Sequence, residues 1–309
     1  MKSKFIPFND FWINCVSTIT YSVLLSSKQV DKSIVYNNNY VYDIVTDNME
    51  SSNTFNSIVV QMKHEEMNAR IFTNGSIIEW TDEYSLINTL ISNLDLGKVV
   101  TPGVDLYYCI DENMYRNKFH KERLALLNGY DKEKEIFYVF EMGKSGYSEH
   151  IVPYHELTLA ASKYTRDSFI SDIGDNLDEF MYQYSDILQN ANEIIASMNL
   201  AINQLDLIWN IDALNEFELN YFGNIVQTYI FSMQNRQKAN RLLFQNVFAN
   251  DVKSEEKFVL LEKEYENMKN LIIRDVFYNK KIKEKIFQHK ERLKRLLLEE
   301  KYIWESKLS

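Results

Sequence analysis

FWINCVSTIT, residues 11–20, contains a cysteine directly before a run of apolar residues with helical spacing. Val16, Ile19 and Val23 recur at intervals of three and four, which predicts a helix from about Cys15 onward. Free backbone N–H groups and the positive end of the helix dipole favour a thiolate at a helix N-terminus. The segment therefore predicts a nucleophilic Cys15 on a buried helix. A small, buried and unreactive side chain is the alternative at this position.

The composition is typical of a globular protein with two domains. The chain has 309 residues, of which 45% are hydrophobic and 25% are charged. Only 8 glycines and 3 prolines are present, which favours long and mostly helical elements. The N-terminal residues lack an apolar stretch of signal-peptide length, and no run is long enough to span a membrane. Two cysteines, Cys15 and Cys109, make no disulfide framework, so we expect a cytoplasmic protein.

The charge is unevenly distributed along the chain. The net charge is −10, yet residues 252–309 contain 15 Lys and Arg against 11 Asp and Glu. The basic excess is concentrated between Lys280 and Arg295. Such a cluster indicates either a docking surface for an acidic partner or a solvated helix face. The acidic remainder and the lack of interleaved aromatic residues disfavour nucleic acid as the partner.

The first half of the sequence mixes strand and helix signals. Short strands are predicted at Tyr40–Val45 and Ser57–Met62. Asn74-Gly75 between apolar pairs is typical of a hairpin turn. Thr81-Asp82-Glu83 offers a cap for a helix over Tyr84–Leu94.

Strand signals continue after this helix. The run Lys98–Tyr108 predicts two strand segments separated by a turn or bulge at Pro102-Gly103. Apolar runs at Leu124–Leu127 and Ile136–Phe140 predict two more strands, and Gly129-Tyr130-Asp131-Lys132 suits a hairpin between them.

The second half changes character near Pro153, after which helical periodicity dominates. We therefore predict an α+β protein with a mixed domain over residues 1–153 and a helical domain over residues 154–309. The expected helices cover residues 154–162, 165–184, 186–208, 212–248 and 253–306, and the last of them is expected to break between Asp275 and Lys281.

Two motifs in the first half resemble a known family. They are Val104-Asp105-Leu106-Tyr107-Tyr108 and Gly129-Tyr130-Asp131, and they accompany the Cys15 helix and the helix before Gly97. Residues 5–155 thereby resemble the N-terminal domain of the butirosin biosynthesis acyltransferase family. That domain is similar to the bacteriocin-processing cysteine peptidases, and a helical C-terminal half is usual in such proteins.

The resemblance implies a papain-like cysteine-peptidase fold for residues 1–153, followed by an all-α domain. Family members move an acyl group from a carrier-protein thioester to an amine through a cysteine acyl-enzyme, in natural-product biosynthesis. For this chain it implies a Cys15 acyl-enzyme, a phosphopantetheine arm on an acyl or peptidyl carrier protein, and a small amine acceptor. No bound cofactor and no membrane partner are expected, and a homodimer stays open. A peptidase, a thioester hydrolase and a catalytically inactive binding protein are the alternatives.

The sequence departs from the family pattern at the expected histidine. In the family a histidine stands six residues before the glycine of Gly-Tyr-Asp, and that position is Arg123 here. A guanidinium stays protonated and cannot act as a base, although it can hold a thiolate or bind a carboxylate or phosphate. His120 is the candidate base if a bulge or loop redirects it, because an offset of three residues reverses the face of a strand. Glu141, at the family's acid position, would orient His120 or pair with Arg123. A surface histidine and a surface carboxylate are the alternatives.

The remaining candidates are polar residues near these motifs. Asn14 either donates to an oxyanion or caps the helix. Arg123 and Asp105 are candidate substrate-binding or oxyanion residues, and Asp105 is expected to be partly buried beside Tyr107. His64 lies next to two glutamates, but no second histidine follows at helical spacing, so no metal site is expected.

Overall fold

The structure is a computed structural model in which the chain forms two compact units. Unit 1 consists of Met1–Asp31 and His64–Met181, and unit 2 consists of Lys32–Lys63 and Tyr182–Ser309. The residues that the structure describes are 5–12, 14–26, 33–36, 40–49, 53–62, 71–143, 146–174, 184–248 and 251–308.

The described elements confirm an α+β chain with a helical C-terminal half. The helices are α1 (Cys15–Ser26), α2 (Ser33–Tyr36), α3 (Glu83–Asp95), α4 (Tyr154–Ser162), α5 (Tyr184–Asn203), α6 (Glu216–Val247), α7 (Val252–Ile273) and α8 (Ile282–Leu308). The strands are β1 (Tyr40–Asn48), β2 (Thr54–Met62), β3 (Phe72–Ile77), β4 (Val99–Thr101), β5 (Gly103–Asp105), β6 (Glu122–Leu124), β7 (Leu126–Asp131), β8 (Ile136–Gly143), β9 (Gly146–Pro153) and β10 (Phe169–Ile173).

The described residues of unit 1 form three small antiparallel sheets, with strand orders β3-β10-β4, β5-β6 and β7-β8-β9. Helices α3 and α4 pack on these strands and on each other. Their buried faces, which include Leu90 and Leu157, share one apolar core with strand residues such as Val100 and Val139. The cap predicted at Thr81-Asp82-Glu83 is present, with Asp82 as the residue that caps α3 and forms a capping box with Ser85.

Helix α1 is buried in spite of its many hydroxyl groups. Ser17, Thr18, Thr20 and Ser22 are each at most 1% exposed. Thr18, Thr20 and Ser22 donate to the carbonyl oxygen four residues earlier, over 2.7 to 2.9 Å. The Ser22 hydroxyl also accepts the backbone N–H of Phe8. Because the hydroxyls are satisfied within the helix, a polar helix can occupy an interior position.

Three local predictions in this unit are corrected. Asn74-Gly75 is not a hairpin turn, because β3 runs through both residues and pairs with β10 at an irregular register. Asn74 has the left-handed φ of 50° that its residue type tolerates, so the turn signal produces a bulge instead. The predicted helix over residues 165–184 contains strand β10, and residues 175–183 lie outside the described part. The β7–β8 turn follows Asp131, because Gly129 lies within β7 at a register shift.

Unit 2 combines a hairpin with helices. Strands β1 and β2 pair antiparallel without interruption from Tyr40↔Met62 to Asn48↔Thr54. The hairpin packs on α5 and α6, while α7 packs on α6 and α8. A π-helical turn at Arg274–Tyr278 separates α7 from α8, which confirms the predicted break.

The units differ from the predicted domains 1–153 and 154–309. Helix α4 and strand β10 belong to unit 1, beyond the proposed boundary at Pro153. The β1–β2 hairpin belongs to unit 2, which is therefore not all-α. The reason is that Tyr40 and Tyr42 of β1 are buried among the helices of unit 2, where both hydroxyls donate to Glu300. Within the described ranges, no helix has the combination of length and apolarity that crossing a bilayer needs.

Candidate functional site

Cys15 is the first residue of α1, and its side chain is partly exposed. Asn14 caps the helix, because its Oδ1 accepts the backbone N–H of Ser17 over 2.8 Å and the Ser17 hydroxyl over 2.9 Å. The amide oxygen of Asn14 thus serves the cap. The first N–H groups of a helix have no intrahelical acceptors. Cys15 therefore lies at the positive end of the helix, where an anionic sulfur is favoured.

Lys121 and two tyrosines lie within electrostatic range of Cys15. Burial lowers the pKa of Lys121, Arg123 lowers it further, and a negative charge on Cys15 opposes both effects. Burial raises the pKa of Tyr147, and the charges of Glu141 and Cys15 act in the same direction. Burial also raises the pKa of Tyr164, which is coupled to Cys15 as well. Lys121, Tyr147 and Tyr164 are thus electrostatically coupled to the sulfur.

The Tyr164 ring packs against the backbone of Gly103. A Cβ atom at Gly103 would lie 2.0 Å from Cδ1 of the Tyr164 ring, so the ring rests directly on the β5 backbone. The N–H of Gly103 donates to the Ser168 hydroxyl over 2.7 Å, which fixes the segment that follows Tyr164. The Pro102-Gly103 break in the sequence therefore provides room for an aromatic side chain.

His120 forms a pair with Asp105. The His120 Nδ1 lies 2.6 Å from the Asp105 Oδ2, and the imidazole stacks on the Tyr107 ring at 4.5 Å between centroids. The His120 side chain is 65% exposed, whereas that of Asp105 is 4% exposed. Asp105 accepts on Oδ1 from the backbone N–H groups of Tyr107 and Lys121. A carboxylate at Nδ1 orients the ring and leaves Nε2 as the free acceptor.

Asp105 is held ionised by its donors. Burial alone raises the pKa of Asp105, but the hydrogen bonds from His120, Tyr107 and Lys121 outweigh it and hold the pKa below the ordinary value. Asp105, expected from the sequence as a substrate-binding residue, therefore has the geometry of a residue that positions a histidine.

Glu141 does not orient His120, which corrects the expected pairing. Glu141 has no exposed surface and lies in β8, where its Oε1 accepts the N–H of Met142 over 2.9 Å. Its Oε2 has no hydrogen-bond partner among the described residues. Burial raises the pKa of Glu141 to about 7, although the Met142 N–H and the charge of Arg123 lower it. The two family positions, Arg123 and Glu141, are thus coupled to each other.

His120 lies outside the regular strand, in the segment before β6. Strand alternation therefore does not decide the face on which His120 lies, and the irregular segment ends at Lys121, before Glu122 and Arg123 of β6. Among the described residues, no hydrogen bond joins His120 to Cys15. Lys121 is electrostatically coupled to Cys15, and Asp105 is hydrogen-bonded to His120. Because His120 and Lys121 are adjacent in sequence, they connect Cys15 with the His120–Asp105 pair.

Sequence reasoning missed Lys121, Tyr147 and Tyr164. The sequence contained a signal for Lys121. It directly follows His120, and it precedes Arg123 by two residues, which is the spacing of side chains on one face of a strand. The two tyrosines had none, since they come from chain segments far from Cys15 that only the fold brings near.

The basic cluster at the start of α8 is largely paired within unit 2. Lys280 contacts Glu216, Lys285 lies 3.1 Å from Asp275, and Arg292 lies 2.6 Å from Glu264. Arg295 also pairs with Glu264, and Lys283 donates to the carbonyl oxygen of Asp212. The interpretation as a solvated face tied by ion pairs thus has more support than the docking surface.

No protein-family model and no curated protein sequence matches the chain. Among the described residues, His, Cys, Asp and Glu side chains form no group of three or more that could hold a metal ion. A functional hypothesis therefore has to be built from Cys15 and its neighbours.

Proposed function

We propose that the chain is a cysteine-dependent acyltransferase of papain-like fold, which moves an acyl group from a carrier-protein thioester to a small amine. The observation that supports it is the position of Cys15 at the N-terminus of a buried helix, within electrostatic range of the Lys121 cation. A helix that presents a thiolate to antiparallel strands is how papain-like enzymes are built, and cations next to a cysteine favour its nucleophilic form.

The first half-reaction acylates the cysteine. The Cys15 thiolate attacks the thioester carbonyl, and the oxygen becomes an oxyanion that the first N–H groups of α1 stabilise. The intermediate collapses, the carbon–sulfur bond to the donor breaks, and the phosphopantetheine thiolate leaves. Cys15 then carries the acyl group as a new thioester.

The second half-reaction transfers the acyl group to the amine. The amine nitrogen attacks the Cys15 thioester, an amide bond forms and the Cys15 thiolate is released. His120 accepts the amine proton at Nε2, and Asp105 at Nδ1 stabilises the resulting imidazolium. This assigns the orienting role to Asp105 and leaves Glu141 outside the reaction.

The donor would bind by its negative charge. Lys121, Arg123 and Arg166 form a cationic group near Cys15, since both arginines lower the pKa of Lys121, after burial as the main cause. A phosphopantetheine arm has a phosphodiester, and acidic carrier proteins add further negative charge. Arg166 also pairs with Glu122 over 3.8 Å, so Lys121 and Arg123 are the cations of this group that we propose to meet the donor.

A catalytically inactive binding protein is the second candidate. The observation that favours it is Arg123 at the family's histidine position, coupled to the buried Glu141. In that case the cationic group would hold a carrier protein or peptide, and Cys15 would have ordinary reactivity.

Intact-mass analysis after incubation with an acyl N-acetylcysteamine thioester tests the proposal. We expect one acyl adduct on the wild type and on Cys109→Ala, and none on Cys15→Ala. Cys109 is the matched control because it has no exposed surface and its burial raises the pKa of its thiol. His120→Ala should still acylate, but its transfer to an added amine should slow by about 100-fold or more. A wild type without any adduct would support the binding protein instead.

A further inference from the structure

An apolar pocket lies beside Cys15 in unit 1. It has a volume of about 260 Å³, and residues of α1, β3, β4, β6 and β10 line it. The apolar side chains at its wall include Val16, Ile19, Phe72, Leu124 and Phe169. Val16 is 41% exposed and Phe169 is 40% exposed, so these side chains are not fully packed by the protein itself. An apolar cavity with exposed apolar walls is suited to an apolar guest.

The pocket and Cys15 share one end of α1. Val16 directly follows Cys15, and Ile19 is four residues after it, which places Cys15 and Ile19 on the same helix face. A group bonded to the Cys15 sulfur therefore emerges next to the wall of the pocket. Leu124, which also lines the pocket, directly follows Arg123 of the cationic group.

The polarity of the lining limits what the pocket can hold. No charged residue is among the described residues that line it, and Thr101 and Ser171 are its hydroxyl side chains. The Thr101 hydroxyl already donates to the carbonyl oxygen of Phe169 over 3.1 Å. A charged acyl group would lose its hydration here without gaining a partner, which is costly. An unsubstituted hydrocarbon chain would gain from burial instead.

We infer that this pocket binds the hydrocarbon chain of the acyl group, so that the acyl donor is a short or medium-length fatty acyl thioester. The inference rests on the proposed function, which leaves the acyl group open. A methylene takes ~30 Å³, as a water does in the liquid, so a cavity of about 260 Å³ admits about eight carbons. The end of a longer chain would extend out of the pocket. An aminoacyl or dicarboxylic acyl group is disfavoured because its charge would lose its hydration there.

Single-turnover acylation of Cys15 by a series of N-acetylcysteamine thioesters tests the inference. Butanoyl, hexanoyl, octanoyl, dodecanoyl and succinyl donors are compared by intact mass. The second-order rate constant should rise about fourfold per methylene up to the octanoyl donor and then stay level or fall. The succinyl donor should be slower than the butanoyl donor, because its carboxylate has no partner in the pocket.

Gly75→Leu is designed to narrow the pocket, because Gly75 lines it and a Cβ atom there meets no other atom within 4 Å. The variant should lower the octanoyl rate constant about tenfold and leave the butanoyl rate constant within about twofold. Ser76→Leu is the matched control, since Ser76 is the next residue of β3, is exposed and does not line the pocket. It should keep the wild-type chain-length profile.

The outcomes separate the two proposals. If no donor acylates Cys15, the acyltransferase proposal fails, and the pocket inference fails with it. If Cys15 is acylated at rates independent of chain length, or faster by the succinyl donor, the pocket inference alone is overturned. If Gly75→Leu does not fold, as judged by circular dichroism, the wild-type series still decides.

Discussion

Glu141 shows how a single residue can be misread from sequence. Its place at the end of an apolar run and at the family's acid position suggested a residue that orients the base. In the fold it is fully buried, its Oε2 has no hydrogen-bond partner among the described residues, and burial raises its pKa to about 7. A carboxyl group whose pKa is raised to about 7 is only partly ionised near neutral pH, which makes it a poorer partner for an imidazolium than an ionised one. Asp105, which is ionised and well bonded, suits that role.

The raised pKa of Glu141 makes the stability of unit 1 depend on pH. Because the pKa in the folded state lies above the ordinary 4.5, the folded protein binds this proton more tightly than the unfolded chain. The stabilisation is complete below about pH 4.5 and is lost as the pH rises through about 7. Relative to Glu141→Gln, which is always neutral, the wild type should lose about 3 kcal/mol of unfolding free energy between pH 4 and pH 8.

Urea unfolding of unit 1 measures this effect in a Cys15→Ala background, with the labelling of the buried Cys109 as the readout. Glu133→Gln, an exposed position in the turn before β8, is the control and should follow the wild type at every pH. Parallel pH profiles of the wild type and Glu141→Gln would contradict the buried-acid interpretation.

At the scale of elements, helix α6 depends on a close approach to the π-helical turn. Gly223 is buried within α6, and a Cβ atom there would lie 2.7 Å from Cγ1 of Val276 and 3.2 Å from Cζ of Phe277. Both neighbours belong to the turn between α7 and α8. π-Helical turns widen a helix locally and alter its direction. The glycine lets α6 pack on this wider segment.

Gly223→Ala should therefore destabilise unit 2. Alanine in a helix gains about 1 kcal/mol in propensity over glycine, but overpacking of a core typically costs about 1–3 kcal/mol. We expect a net loss of about 1–2 kcal/mol, measured by urea unfolding followed by far-ultraviolet circular dichroism. Asn224→Ala, on the exposed side of the same helix, should be neutral or slightly stabilising. A more stable Gly223→Ala variant would show that the Val276 side chain simply moves away.

At the scale of the whole molecule, each unit has its own buried centre. In unit 2 this centre is polar: Glu300 has no exposed surface and accepts hydrogen bonds from Tyr40 over 2.7 Å, from Tyr42 over 2.6 Å and from Gln237 over 2.5 Å. Burial raises the pKa of Glu300, and these donors together with Arg236 oppose the rise. The network joins the β1–β2 hairpin to α6 and α8, so it determines which unit the hairpin belongs to.

Glu300→Ala should unfold unit 2 selectively. The substitution leaves the buried Tyr40 and Tyr42 hydroxyls and the Gln237 amide without their common acceptor, which should cost about 3–5 kcal/mol in total. In calorimetry one of two transitions should shift to lower temperature, while the rate of iodoacetamide labelling at Cys15 stays unchanged. Glu299→Ala, an exposed neighbour that pairs with Arg295 at 3.7 Å, should shift neither transition measurably. A single transition that moves with Cys15 labelling would show that the units unfold as one.

Short-range sequence patterns were enough to predict most of the helices and strands. The helix at Cys15, the capped helix α3, the strands on both sides of Pro102 and the break after α7 follow from apolar spacing, caps and breakers within a few residues. Each of these features depends on interactions between near neighbours in sequence. The failures at Asn74-Gly75 and residues 165–184 have the opposite cause, because pairing between β3 and β10 overrides the local preference.

The sequence by itself determined the class of the fold, the helical second half and the location of Cys15 at a helix N-terminus, because these depend on periodicity and capping. Only the tertiary structure decided that Asp105 rather than Glu141 partners His120, that Lys121 lies near Cys15, and that the β1–β2 hairpin belongs with the later helices. Those relations depend on burial and on contacts between distant segments, and a linear pattern contains neither.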